Sequence, residues 1–244
     1  MKKLWRTIKK WILYIFLFHL AYILWVWVLP PPITATQVNS LLSGNGLKRD
    51  WVAMHNISPN MALAVMAAED QIFPLHNGFD WKSIQKAMDH NERRPTRVRG
   101  ASTISQQVAK NVFLWQGRSW LRKGLEVYFT FVIETLYSKR RILELYLNVA
   151  QTGKGLFGVE AAAQEYFGKT AKTLNRRQSA QIAAALPSPV RYSIKPLSNY
   201  VSRRSTWVMR QMNNLSGDPD IQAVINPVTV KPKEPVKKET PRKR

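Results

Sequence analysis

The sequence predicts an all-α domain held at a membrane by one N-terminal helix. Three observations carry this. An uncharged apolar run from Trp11 to Leu29 follows five cations and stops at Pro30, Pro31 and Pro32. Helix-start signals recur through the body of the chain. No apolar pattern of period two persists anywhere, so a short hairpin is the one β element the pattern leaves room for.

The anchor comes first. Lys2, Lys3, Arg6, Lys9 and Lys10 make residues 1–10 a basic stub, and 11–29 is the predicted span. As a helix rising 1.5 Å per residue, that run crosses the roughly 30 Å of bilayer hydrocarbon. Trp11 and Tyr14 at one end, with Trp25 and Trp27 at the other, suit the two interfaces. The cations hold the stub in the cytoplasm and place the remainder outside. A cleaved signal peptide would show a shorter apolar stretch and a small-residue cleavage site, and neither is present.

Residues 30–44 read as a linker, 45–215 as the folded domain, and 216–244 as a disordered basic tail. From Pro227 to Arg244 the tail alternates Pro with Lys, Arg, Glu and Thr and offers almost nothing to pack. Within the domain, Ser58-Pro59 is a cap followed by proline at the first helical position, and Met61 to Ala68 is apolar enough for a buried helix. Ser138 caps the helix carrying Ile142, Leu143, Leu145, Tyr146 and Leu147. Gly158 and Gly168 bracket a helix over Val159 to Phe167, with Gly168 at the C-cap. Asn175 with Gln178 forms a capping box for a helix that Pro187 ends.

The net charge of +22 calls for an anionic partner, either nucleic acid or a membrane bearing anionic lipids and lipid pyrophosphates. With most of the chain outside the cytoplasm, the membrane is the better fit and no nucleic-acid partner is expected. The absence of cysteine excludes disulfides, thiolate nucleophiles and cysteine-based zinc sites.

Three clusters could carry chemistry. Glu69-Asp70 follows the buried apolar helix and precedes Phe73, His76, Gly78 and Asp80. A carboxyl there is partly desolvated, which moves its pKa towards the range useful for proton transfer. A helix end facing water is the plainer alternative. The block Arg99 to Asn111 gathers hydroxyls, amides and Lys110 about a helix start capped by Ser102 or Thr103, which suits an anion such as a diphosphate. It lacks P-loop spacing, and a polar amphipathic helix is the alternative. Arg122 and Glu126 lie four apart on one helical face, as a surface ion pair or as a second catalytic carboxylate beside a cation. Ser83-Ile84-Gln85-Lys86 fits the Ser-x-x-Lys pattern of penicillin-binding transpeptidases, but no Lys-Thr-Gly follows and it reads as chance.

Taken together, these clusters resemble the family-51 glycosyltransferases. Five motifs stand in order: Glu69 to Asp80; Gly100 to Asn111; Arg122-Lys123 with Glu126 and Glu134; Lys139 to Asn148; and Gly158 to Ala163 leading to Tyr166-Phe167-Gly168-Lys169. The resemblance covers roughly residues 45 to 212. It implies a lysozyme-like α-helical fold with a smaller membrane-associated jaw, for which Phe113, Leu114, Trp115, Trp120 and Leu121 look suitable. It carries the general base to Glu69 and a second essential acid to Glu126. Pyrophosphate and sugar contacts fall on Thr103, Gln107, Lys110, Arg118 and Arg122, with matches at Asp70, Phe73, His76, Ser102, Gln106 and Asn111. Gln151 and Lys154 stand where relatives often carry acids, and Ser188 replaces a common Asn.

The resemblance further implies polymerisation of lipid II, the lipid-linked disaccharide precursor, into peptidoglycan strands with inversion and loss of polyprenyl pyrophosphate. The expected partners are lipid II, the polyprenyl-linked strand, the bilayer, and other proteins of cell-wall synthesis or division. A divalent ion (Mg or Mn) near Glu126 is expected, with no organic cofactor. The expected location is the bacterial inner membrane, single-pass, with the catalytic domain in the periplasm. A lytic transglycosylase and a non-enzymatic polyanion-binding scaffold are the competing readings.

Overall fold

The computed structural model describes residues 2–117 and 119–226. The tail from Pro227 onward and Arg118 lie outside the described residues.

Helix α1 runs Lys2–Val28, so the helix continues through the basic stub as well as the predicted span. Among the described residues it alone is long and apolar enough to cross a membrane. Most of its side chains are exposed, but His19, Tyr22, Ile23 and Val26 form a stripe at helical spacing that faces the domain. The Tyr137 hydroxyl donates to the Ile23 carbonyl at 2.6 Å. Arg141 donates from Nη2 to the carbonyls of Val26 and Leu29 at 2.8 and 2.7 Å. Those carbonyls belong to the last turn, which has no intrahelical donors, so Arg141 acts as its cap. The His19 Nε2 and the Tyr128 hydroxyl share a hydrogen bond of 2.9 Å, and the Tyr22 ring meets Phe113 edge-on.

The predicted linker 30–44 contains helix α2, Ala35–Leu42. Its start is a capping box in which Thr34 and Gln37 bond each other's backbone, both buried. That Thr-x-x-Gln signature was legible in the sequence, and it makes the connection a packed element.

Helix α3, Pro59–Glu69, is capped by Ser58 and buries every residue from Met61 to Ala67. A helix apolar all round belongs at the centre of a domain. Helix α9 (Arg176–Ala185, capped by Asn175 with Gln178) and helix α10 (Asn199–Leu215) pack on it. On the other side of the core, helix α5 (Ile104–Phe113) packs against α6 (Trp120–Leu136) and α7 (Lys139–Val149). Helix α4, Trp81–Arg93, buries none of its residues and stands off the core.

The hairpin that the pattern could not place is Gln151–Gly153 (β2) with Leu156–Phe157 (β3). Lys48–Arg49 (β1) adds in parallel to β3, giving the order β1-β3-β2. Strands this short leave no period-two signal to read. Gly158 then turns the chain into helix α8, Val159–Phe167, at φ +83, where an added Cβ would sit 2.7 Å from the Asn148 carbonyl oxygen. Gly168 ends α8 in the left-handed region, as its position predicts.

Two sequence expectations need correcting. The packed chain does not stop at 215. Helix α11, Pro219–Ile225, is capped by Asp218, and Ile221, Val224 and Ile225 are buried, while Arg140 donates to the Val224 carbonyl at 3.1 Å. Leu114, read as a jaw residue, is core at 2% exposure, and Phe113 stacks on Phe129 with centroids 4.7 Å apart. The exposed apolar face is carried by Trp115, Trp120 and Leu121 as expected, and extends along α6 through Val127, Tyr128, Phe131 and Leu136.

Candidate active site

Glu69 is the last residue of α3. Its carboxylate accepts a hydrogen bond of 2.8 Å from the Gln107 amide on α5, and the Gln107 amide oxygen accepts in turn from the Tyr146 hydroxyl at 3.4 Å. Burial pushes the Glu69 carboxyl above its usual range. The Gln107 bond, Arg204 and Lys110 pull the other way, and Asp70 adds to the rise. The result is a carboxylate held in one orientation and made more basic than a solvated one.

Asp70 faces a different task. It is buried and accepts from His76 Nε2 at 3.0 Å and from the Ile104 backbone N–H at 3.0 Å. The Gly78 N–H donates to His76 Nδ1 at 3.0 Å, so Nδ1 is the acceptor and Nε2 carries the proton that reaches Asp70. The pair ties the turn after α3 to the start of α5. Phe73 is fully buried beneath it, with the Lys139 ammonium 4.7 Å from its ring centroid. Asp70, Phe73 and His76 thus support the base from behind.

Thr103, not Ser102, caps α5. It forms a capping box with Gln106 and donates from its hydroxyl to the Gly78 carbonyl at 2.7 Å. Thr103 and Gln106 are both buried, which makes them positioning residues. Ser102 remains exposed on the cleft wall. Gln107, Lys110 and Asn111 share one face of α5 by their spacing.

The second carboxylate, Glu126 on α6, is buried at 4% exposure. Lys123 Nζ lies 2.6 Å from its Oε1, and Arg122 Nη1 lies 3.9 Å from its Oε2. Arg122 also keeps a buried Nε with no partner among the described residues. Lys110 joins this group: burial lowers its pKa, Glu126 opposes that, and Arg122 and Lys123 add to it. Glu69 acts on Lys110 as well, so Lys110 stands between the two carboxylates. The remaining motif acid, Glu134, is taken up by Ser105 and by Lys139 at 2.8 Å, bracing α5, α6 and α7.

Among the described residues no three His, Cys, Asp or Glu side chains gather to hold a metal ion. Glu126 is a single carboxylate already facing two cations, so the residues present do not fit the divalent ion expected there.

Glu69 opens into a cleft of about 940 Å³. Ser102, Thr103 and Gln107 line it beside the base, and Lys82, Lys86, Arg99 and Arg204 line it elsewhere. The sequence reading gave no site role to Lys82, Lys86 or Arg204, and it held Arg99 and Lys123 only as members of the motif blocks. Lys86 was in view, but only as the end of the chance Ser-x-x-Lys match. Arg204 lies beyond every motif, and only the packing of α10 on α3 brings it to Glu69.

The family model described as Transglycosylase matches residues 35–213. Proteins named biosynthetic peptidoglycan transglycosylase from Shigella boydii serotype 4 (strain Sb227), Escherichia coli (strain K12) and Escherichia coli O9:H4 (strain HS) are each 55% identical to it over 202 residues. Those alignments cover 80% of this chain and 84% of each relative. On a match spanning the whole catalytic body and relatives this similar along most of their length, the chain belongs to the transglycosylase family.

Proposed function

We propose that this glycosyltransferase polymerises lipid II into the glycan strands of peptidoglycan at the outer face of the bacterial inner membrane. One observation carries the reading: a desolvated carboxylate, Glu69 on α3, faces Lys110 of α5, which in turn meets Arg122 and Lys123 gathered about Glu126 on α6. That pairs a proton acceptor with a site for a multiply charged leaving group.

The 4-hydroxyl oxygen of the acceptor N-acetylglucosamine forms a bond to C1 of the donor N-acetylmuramic acid, with inversion. The C1–O bond to the diphosphate breaks, and its electron pair leaves with polyprenyl diphosphate. The hydroxyl proton goes to Glu69, which Gln107 and Tyr146 hold in place. Lys110, Arg122 and Lys123 stabilise the charge that grows on the diphosphate. Glu126 keeps Arg122 and Lys123 together in the ground state. The apolar face of α6 and the span α1 keep both lipid tails in the bilayer. Protein partners in cell-wall synthesis or division would join from the same membrane.

The test is the full-length chain in detergent with labelled lipid II. Growth of polymer is the expected result. Cleavage of preformed strands, the activity of a lytic enzyme, would replace this reading, and binding without either would leave a scaffold. Orientation has its own check. A reporter fused after Arg244 should be active only on the periplasmic side, because Lys2, Lys3, Arg6, Lys9 and Lys10 keep the stub inside. Cytoplasmic activity of that fusion would contradict the placement.

A further inference from the structure

A second, smaller hollow shares no lining residue with the catalytic cleft. It measures about 200 Å³ and is formed by the loop from Asn45 to Lys48, the β2–β3 turn at Lys154-Gly155, and Glu165 and Tyr166 of α8. Its rim is fixed by hydrogen bonds. The Ser40 hydroxyl donates to the Gly46 carbonyl at 2.7 Å, the Lys48 N–H to the Gly155 carbonyl at 2.7 Å, and the Tyr166 hydroxyl to the Thr152 carbonyl at 3.0 Å. Gly155 sits at φ +63, where an added Cβ would run into the Asn45 carbonyl oxygen. The charges around the hollow do not balance. Lys48 donates to Glu165 at 2.9 Å and holds that carboxyl below its usual range, and Lys195 adds to the effect. Lys154 and Lys195 are exposed, and neither is in an ion pair with a described residue. Asp50 follows β1 but lines no part of the hollow. Three ammonium groups thus face one carboxylate.

The hollow also stands close to the point where α1 ends. Arg141, which caps the last turn of α1 through the Leu29 carbonyl, lies over the Trp51 ring, 5.5 Å from its centroid. Trp51 follows Lys48 by three residues, at most roughly 11 Å of extended chain. Tryptophan favours the headgroup level of a bilayer, a layer that reaches roughly 5–7 Å beyond the hydrocarbon on each side. We propose that this hollow is a headgroup site for an anionic phospholipid, whose phosphate sits among Lys48, Lys154 and Lys195 while its acyl tails remain in the bilayer beside α1. Basic pockets at a membrane surface take such headgroups, and the phosphate supplies the counter-charge that the chain itself lacks there. The site depends on α1 spanning a bilayer and is independent of the polymerase reading.

The experiment titrates the full-length chain in an uncharged detergent with phosphatidylglycerol or phosphatidylcholine of the same acyl tails, and native mass spectrometry counts the lipids bound. Wild-type chain should hold one phosphatidylglycerol at least about tenfold more tightly than phosphatidylcholine. Lys154→Gln/Lys195→Gln leaves the Lys48–Glu165 pair in place and should abolish that preference. Glu165→Gln removes the one carboxylate, frees Lys48, and should tighten binding several-fold. Both variants change exposed or half-exposed side chains, so circular dichroism should match wild type. A preference that survives the double substitution, or weaker binding in Glu165→Gln, overturns the site. Arg203→Gln/Arg210→Gln on the exposed side of α10 should change nothing, and a loss equal to that of the lysine variant would mean diffuse charge and no site. Glycerol phosphate has the headgroup chemistry without tails, and comparable affinity for it would make this a site for a soluble phosphate ester and end the lipid proposal. If the lysine variant loses lipid II and keeps phosphatidylglycerol, the hollow is a substrate contact and the proposal falls.

Discussion

Glu69→Gln is expected to lower strand polymerisation at least about a hundredfold while leaving the fold intact. The amide preserves the size of the side chain and can still meet Gln107, but it cannot take the acceptor's proton. The wild-type pH profile should carry the same signature. Burial raises the Glu69 pKa, and Gln107, Arg204 and Lys110 offset only part of that rise. The active form is the carboxylate. Activity should therefore fall as pH drops through a value above the ordinary glutamate range, and this acidic limb should vanish from the residual rate of the variant. Polymer formation from labelled lipid II across pH, with circular dichroism as the folding control, measures both. A variant within a few-fold of wild type would remove Glu69 from the role of base.

Lys110→Gln is expected to cost about a hundredfold in kcat, because it removes a cation aimed at charge that develops only as the diphosphate leaves. Stability should move differently. Lys110 is partly buried beside Arg122 and Lys123, and its removal relieves that repulsion even as it loses attraction to Glu126. Thermal unfolding should thus occur at or near the wild-type temperature. Lys110→Arg, which keeps the charge but not the shape, should recover part of the rate. A loss confined to KM, with kcat preserved, would mean that Lys110 binds the diphosphate equally before and during its departure.

Local signals made much of this molecule legible. Ser58-Pro59, Ser138, the Asn175–Gln178 box and Gly168 each act within one turn, and each sits where its chemistry predicts. Glu69, Lys110, Arg122 and Glu126 also come together as the motif order implies. What stayed hidden depends on distance along the chain. Arg204 is 135 residues from Glu69 in sequence and meets it only through helix packing. Lys123 was overshadowed by the i,i+4 pairing of Arg122 with Glu126, yet the i,i+3 contact is the shorter. The roles of Thr103, Gln106 and His76 were blurred for another reason. A hydroxyl, an amide or an imidazole near a substrate site looks the same in sequence whether it bonds a ligand or a backbone.

Arg141, Tyr137 and Tyr128 grip α1 along one stripe, from His19 to Leu29, over roughly three helical turns. A tether would let the domain swivel beneath its span, but a helix seized at several heights behaves as a mast stepped into a hull. Any lean of α1 is then a lean of the whole catalytic body. Hydrophobic stretches lean when the surrounding bilayer is thinner than they are. With α1 spanning a bilayer as proposed, the mouth of the cleft would therefore be steered by the thickness of that bilayer.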